Sequence, residues 1–129
     1  IGPGAGGVYS GSGSQVGAGA PALRGAIAVK DSSRLEGDIE RFRAALAAHD
    51  GDAFLNAASP GVIAVFQPNE YYESREEYLW ALADAMKSEY DAIVGAGFLL
   101  QIDCPDLAMG RHIAFRDEDD EQFLGHVRE

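Results

Sequence analysis

The sequence is short of cations, of cysteine and of long apolar runs. Ten Lys and Arg stand against 21 Asp and Glu, a formal net charge of −11 over 129 residues. Affinity for a phosphate backbone needs clustered cations, so this balance argues against a nucleic-acid partner. It equally disfavours an anionic membrane surface. A single cysteine, Cys104, leaves no intrachain disulfide and points to a reducing, cytoplasmic compartment. No apolar run approaches the ~20 residues needed to span a bilayer. The opening Ile1-Gly2-Pro3-Gly4 has neither Met nor the basic and apolar regions of a signal peptide. It reads as the interior of a longer chain.

What is present divides in two. Residues 1–22 interleave Gly with Ser and Ala, a composition that buries little apolar surface and loses much backbone entropy on ordering, so a flexible segment is expected there. Gly2, Gly4 and Gly7 match the spacing of a dinucleotide fingerprint, but neither the strand before it nor the helix after it is in place. Residues 23–129 alternate between strand-like and helix-like patterns. Ala26-Ile27-Ala28-Val29 reads as a buried strand. Ser33 and Glu36 form a capping box for a helix carrying Leu35, Ile39, Phe42 and Leu46, with Gly51 as its left-handed terminus. Ala53–Ala57 is a weaker strand. Val62–Phe66 fits a strand or a short buried helix, and the helix is preferred. Ser74 and Glu77 make a second capping box. After it Leu79, Leu82, Ala83, Met86, Tyr90 and Ile93 trace one apolar stripe, closed by Gly95-Ala96-Gly97. A strand over Phe98–Ile102 follows, then a last helix entered through Asp117–Asp120, whose charge suits a helix N-terminus. Three strands separated by helices imply a parallel sheet with right-handed crossovers.

The strand Phe98-Leu99-Leu100-Gln101-Ile102 ends in Asp103, and Pro105 stops its continuation. Carboxyl ends of parallel strands are where α/β proteins bind ligands, which makes Asp103 the leading candidate for substrate binding. Asn56 and Ser59, near the end of the preceding strand, share that rim. Glu70, in the loop Asn69-Glu70-Tyr71-Tyr72, is a further candidate if its loop reaches the same rim. Asp103, Cys104 and His112 fit no standard zinc-ligand spacing, and neither a Ser/His/Asp set nor a nucleophile elbow is present. His49 sits near a helix C-terminus, where its charge suits the dipole, and His126 lies on the face of the last helix; both read as structural. No residue of the chain is assigned as catalytic or metal-ligating.

Residues from about 24 to 129 resemble the catalytic barrel of the cobalamin-independent methionine synthase family, in particular its short single-barrel members. Ser59-Pro60-Gly61, Asn69-Glu70-Tyr71-Tyr72, Glu76–Ala85 and Glu89–Phe98 carry the likeness, completed by Leu100-Gln101-Ile102-Asp103-Cys104-Pro105-Asp106-Leu107. The resemblance implies a (β/α)8 barrel of which this chain holds about three middle strands, not closed on its own. It implies transfer of a methyl group from a folate to homocysteine or a similar thiol activated by zinc, with Asp103 holding the substrate's amino group. Family members usually carry Glu or Asp where this chain has Cys104. The family's His-x-Cys zinc ligands have no counterpart in the sequence. Related barrels alkylate thiols with other electrophiles such as epoxides. A different class of reading is a catalytically silent piece or assembly subunit that self-associates through open sheet edges.

Overall fold

The computed structural model describes residues 21–128, which form five helices and two strands. In chain order these are α1 (Ser33–Ala45), β1 (Phe54–Ala58), α2 (Pro60–Phe66), α3 (Arg75–Gly95), β2 (Leu99–Asp103), α4 (Asp106–Ile113) and α5 (Asp120–Arg128). The expectations for the glycine-rich stretch, including the spacing of Gly2, Gly4 and Gly7, fall outside the described residues except at its last two positions.

β1 and β2 pair in parallel, with Phe54 opposite Leu99, Asn56 opposite Gln101 and Ala58 opposite Asp103. α2 and α3 make the crossover between them, the arrangement that parallel neighbours require. The result is a mixed α/β fold with an open, two-stranded parallel sheet. The expected third strand, Ala26–Val29, is not formed. Its residues are irregular, Val29 is more than half exposed, and the Ile27 amide donates to the Tyr72 hydroxyl at 2.9 Å rather than to a neighbouring strand. An apolar, β-branched run becomes a strand only where a ladder partner is available. The pairing in this region lies earlier, at an isolated parallel bridge between Leu23 and Asn69.

Several helix boundaries also differ from the pattern. α1 ends at Ala45 with Leu46 as its cap, so Gly51 is not its terminus. The expected capping box of Ser33 and Glu36 is not formed: the N-cap is Ser32, with no side-chain bond to the helix backbone, its Oγ donates to Glu36 Oε1 at 2.6 Å, and Ser33 is taken by Asp31. Gly97, with φ 89°, is the glycine that adopts the left-handed conformation among the described residues, at the end of α3. α3 begins as expected, with Ser74 Oγ accepting from the Glu77 amide at 3.1 Å. α5 has a reciprocal cap, Asp119 Oδ1 to the Gln122 amide and Gln122 Oε1 to the Asp119 amide. α4 has no counterpart in the sequence reading. Pro105, read there as a strand stop, is the residue from which this helix starts, a position where its missing N–H costs nothing.

The core lies where α2 crosses α3. Ala64, Tyr78 and Leu82 are buried together, with Leu23, Ile27, Ile63, Tyr72 and Leu79 packed around them. Tyr78 is fully buried, stacks on Tyr72 with centroids 5.9 Å apart, and donates its hydroxyl to the Gln67 carbonyl at 3.0 Å. α1 closes over the far end of α3, where Phe42 meets Phe98 edge-on at 5.0 Å and an Arg43 Nη donates to the Ala96 carbonyl. No helix among the described residues is long and apolar enough to cross a membrane. Tyr78 gives the most direct check on this core. Tyr78→Phe should cost about 1 kcal/mol from the lost hydrogen bond. Tyr78→Ala should cost about 3–5 kcal/mol from the cavity. Urea unfolding followed by circular dichroism reads both, and equal midpoints for Tyr78→Ala and the parent would contradict the packing.

Candidate functional site

The site is built by the register of the two strands. Side chains alternate faces along a strand, and directly paired residues of parallel strands share a face. Phe54, Asn56 and Ala58 therefore lie on one side of the sheet together with Leu99, Gln101 and Asp103. The helices leave this face open: Phe54 is 56% and Leu99 58% exposed. At its carboxyl end three polar groups converge. Asn56 Nδ2 donates to Asp103 Oδ2 at 2.9 Å, and Gln101 Nε2 donates to Asp103 Oδ1 at 2.9 Å. Each carboxylate oxygen thus accepts one amide. The Gln101 bond, and then the Asn56 bond, favour the ionised form and hold the Asp103 carboxyl below its ordinary value of 3.8. The arrangement is a fixed, charged acceptor on an open sheet face, suited to an ammonium or hydroxyl group of a ligand.

Two of the other candidates fall into place around it differently. Asn56 is a direct partner of Asp103. Ser59 sits just beyond β1 and is buried. Its amide donates to the Asp103 carbonyl at 3.0 Å, and its hydroxyl accepts from the Val62 amide at 3.0 Å to cap α2. The same hydroxyl donates to Asp106 Oδ1 at 2.6 Å. Ser59 thus ties the ends of the two strands together rather than opening toward the Asp103 carboxylate. Glu70 belongs to a separate network: it pairs with Arg24 at 2.8 Å, and its amide donates to the Leu23 carbonyl. Asn69, next to it, closes its own loop, accepting from the Tyr71 and Tyr72 amides and donating to the Tyr72 carbonyl.

Beyond Asp103 the chain turns away from the open face. Cys104 is half-buried, with a weak Sγ contact to the Ile102 carbonyl at 3.6 Å. It lines a cleft of about 330 Å³ between α3, α4 and α5, whose walls also include Gly61, Leu79, Trp80, Asp106 and Leu107. Neither Asp103 nor Asn56 lines that cleft. The Tyr90 hydroxyl donates to the Ala58 carbonyl at 2.6 Å. Burial, with smaller contributions from Cys104 and Glu89, pushes its ionisation above the usual phenol value and keeps it a neutral donor. His126 lies 3.0 Å from Glu118 and stacks on Phe115, a packing role.

Gln101 and Asp106 are the functional neighbours that sequence reasoning did not select. The alternation of Gln101 with Asp103 was available in the sequence, but the register against Asn56 was not. Among the described residues, no group of three or more His, Cys, Asp or Glu is placed to hold a metal ion. No protein-family model matches the chain, and neither a curated protein nor a solved structure matches it.

The two amide bonds set a testable titration. In the parent, Asp103 should titrate below 3.8, and Gln101→Ala or Asn56→Ala should raise its midpoint toward that value, the double variant most. Because the folded value is the lower one, the stabilisation from these bonds is complete above 3.8 and is lost as the pH falls through the native midpoint. Carboxyl carbon shifts in an NMR pH titration report it directly. A parent midpoint at or above 3.8 would contradict the geometry.

Proposed function

We propose that this chain supplies the amine-anchoring part of a barrel enzyme resembling cobalamin-independent methionine synthase, which moves a methyl group from a folate to homocysteine or a similar thiol. The observation that supports this reading is the Asp103 carboxylate, held ionised by two side-chain amides at the carboxyl end of a parallel strand. A substrate ammonium placed on the open face would gain charge-assisted hydrogen bonds from both oxygens. Asn56 and Gln101 orient the carboxylate but have no charge to offer the substrate. In this reading the uncovered face of β1 and β2 is the inner wall of a (β/α)8 barrel, which takes about 250 residues to close. A related thiol alkyltransferase using an epoxide would employ the same anchor.

The zinc that the resemblance implies does not fit the described residues. They offer no cluster of three potential ligands, and Cys104 turns into the helix-side cleft, away from Asp103. The part assigned to this chain is therefore binding and orientation of an amino-acid thiol, and no step is routed through a metal.

A second reading, self-association, is favoured by one observation: among the described residues the sheet has two unpaired edges, and Phe54, Leu99 and Ile102 are exposed on it.

Replacing the anchor tests the first reading. In an active barrel containing this segment, Asp103→Ala should raise KM for an amino-acid thiol about 10- to 100-fold, the scale of a lost charged hydrogen bond. It should leave KM for the corresponding thiol without an amine unchanged. Equal effects on the two substrates would refute the amine-anchoring role.

A further inference from the structure

We propose that Ser59, Gly61 and Asp106 form a latch across the strand ends that positions Asp103 for its amide partners, making Asp106 and Ser59 positioning residues of the site. The inference rests on the reading of Asp103 as the ligand anchor, and extends it to groups that do not touch the ligand.

The latch follows from four contacts. The ladder between β1 and β2 ends at the pair Ala58 and Asp103, and the Ser59 amide extends it by one bond to the Asp103 carbonyl at 3.0 Å. The Ser59 hydroxyl then donates to Asp106 Oδ1 at 2.6 Å while accepting from the Val62 amide. Asp106 is the first residue of α4, only three positions after Asp103. The other carboxylate oxygen, Oδ2, lies against Gly61, where a Cβ would stand 2.1 Å from it. The carboxylate is thus clamped between a hydroxyl and a bare backbone.

The consequence is geometric. Asp103 lies at the end of a five-residue strand, where a ladder ordinarily frays. Its partner Asn56 is on the other strand, so the 2.9 Å bond between them survives only if the strand ends keep their register. Ser59 joins that register to α2, and Asp106 joins it to α4. Both helices start at the rim, and a carboxylate near helix N-termini is electrostatically favoured. Gly61 is required because any side chain there would push Asp106 off Ser59.

The side-chain amide resonances of Asn56 and Gln101 read the latch without any ligand. The Asp103→Ala variant supplies the reference for broken bonds. In the full chain, Asp106→Ala and Gly61→Ala should move the Asn56 amide resonances most of the way to their positions in Asp103→Ala. Gln101, on the same strand as Asp103, should move much less. Asp106→Asn, which keeps an acceptor for Ser59, should stay near the parent. Unchanged Asn56 resonances in both Asp106→Ala and Gly61→Ala would overturn the proposal. Global unfolding of both would overturn it too, because the contacts would then determine the fold rather than position the site. Since no substrate enters the measurement, failure of the latch is distinct from failure of amine anchoring, which the KM comparison reads.

Discussion

The parallel pairing of β1 with β2 is the interaction on which the rest depends. Five residues on each strand, in one register, place Asn56 diagonally across from Asp103 and Gln101 two positions before it. A slip of one residue would turn Asp103 to the opposite face and break both amide bonds, because side chains alternate with a period of two. The register in turn needs the crossover through α2 and α3. The Tyr90 hydroxyl on α3 holds the Ala58 carbonyl, and the buried Tyr78 fixes α3 against α2. A core centred on two helices thus sets the position of a carboxylate that lies outside it.

The two sides of the sheet have different chemistry. One is covered by helices, and beyond the strand ends on that side lies an apolar cleft holding Cys104 and the exposed indole of Trp80. The other carries Phe54 and Leu99 in the open and ends in the charged group of Asp103. Parallel sheets are normally buried on both faces, so the open face is the natural place for further structure, for a ligand, or for both. The cleft and the leading candidate residue are on different sides, and the chemistry favours the side with the fixed charge.

Much of this was legible in the sequence, and the losses have physical reasons. α3 is amphipathic over 21 residues with a cap at Ser74, so its pattern alone sufficed. Asp103 was visible as a carboxylate at an abrupt strand end. Ala26–Val29 has the composition of a strand but is irregular, because strand propensity says nothing about whether a partner edge exists. α4 is hidden in the sequence because a proline after a strand fits a strand stop as well as a helix start, and because eight residues with an internal Gly110 carry little periodicity. The group around Asp103 was only half visible. Asn56 and Ser59 were found from their place near a strand end, but their separate duties, one as hydrogen-bond donor to the carboxylate and one as clasp, depend on a register that no single segment encodes. Glu70 was linked to the rim only through a loop, and that loop is held by Arg24 and Leu23 instead.

Native-state hydrogen exchange at the Ser59 amide tests the central claim most directly. This amide donates to the Asp103 carbonyl and closes the ladder at the site. If the register is held as described, its protection should match that of the α3 amides around Tyr78 and Leu82, opening only with the core. Exchange as fast as that of the irregular residues 24–31 would show that the strand ends separate freely, and would contradict a fixed carboxylate at Asp103.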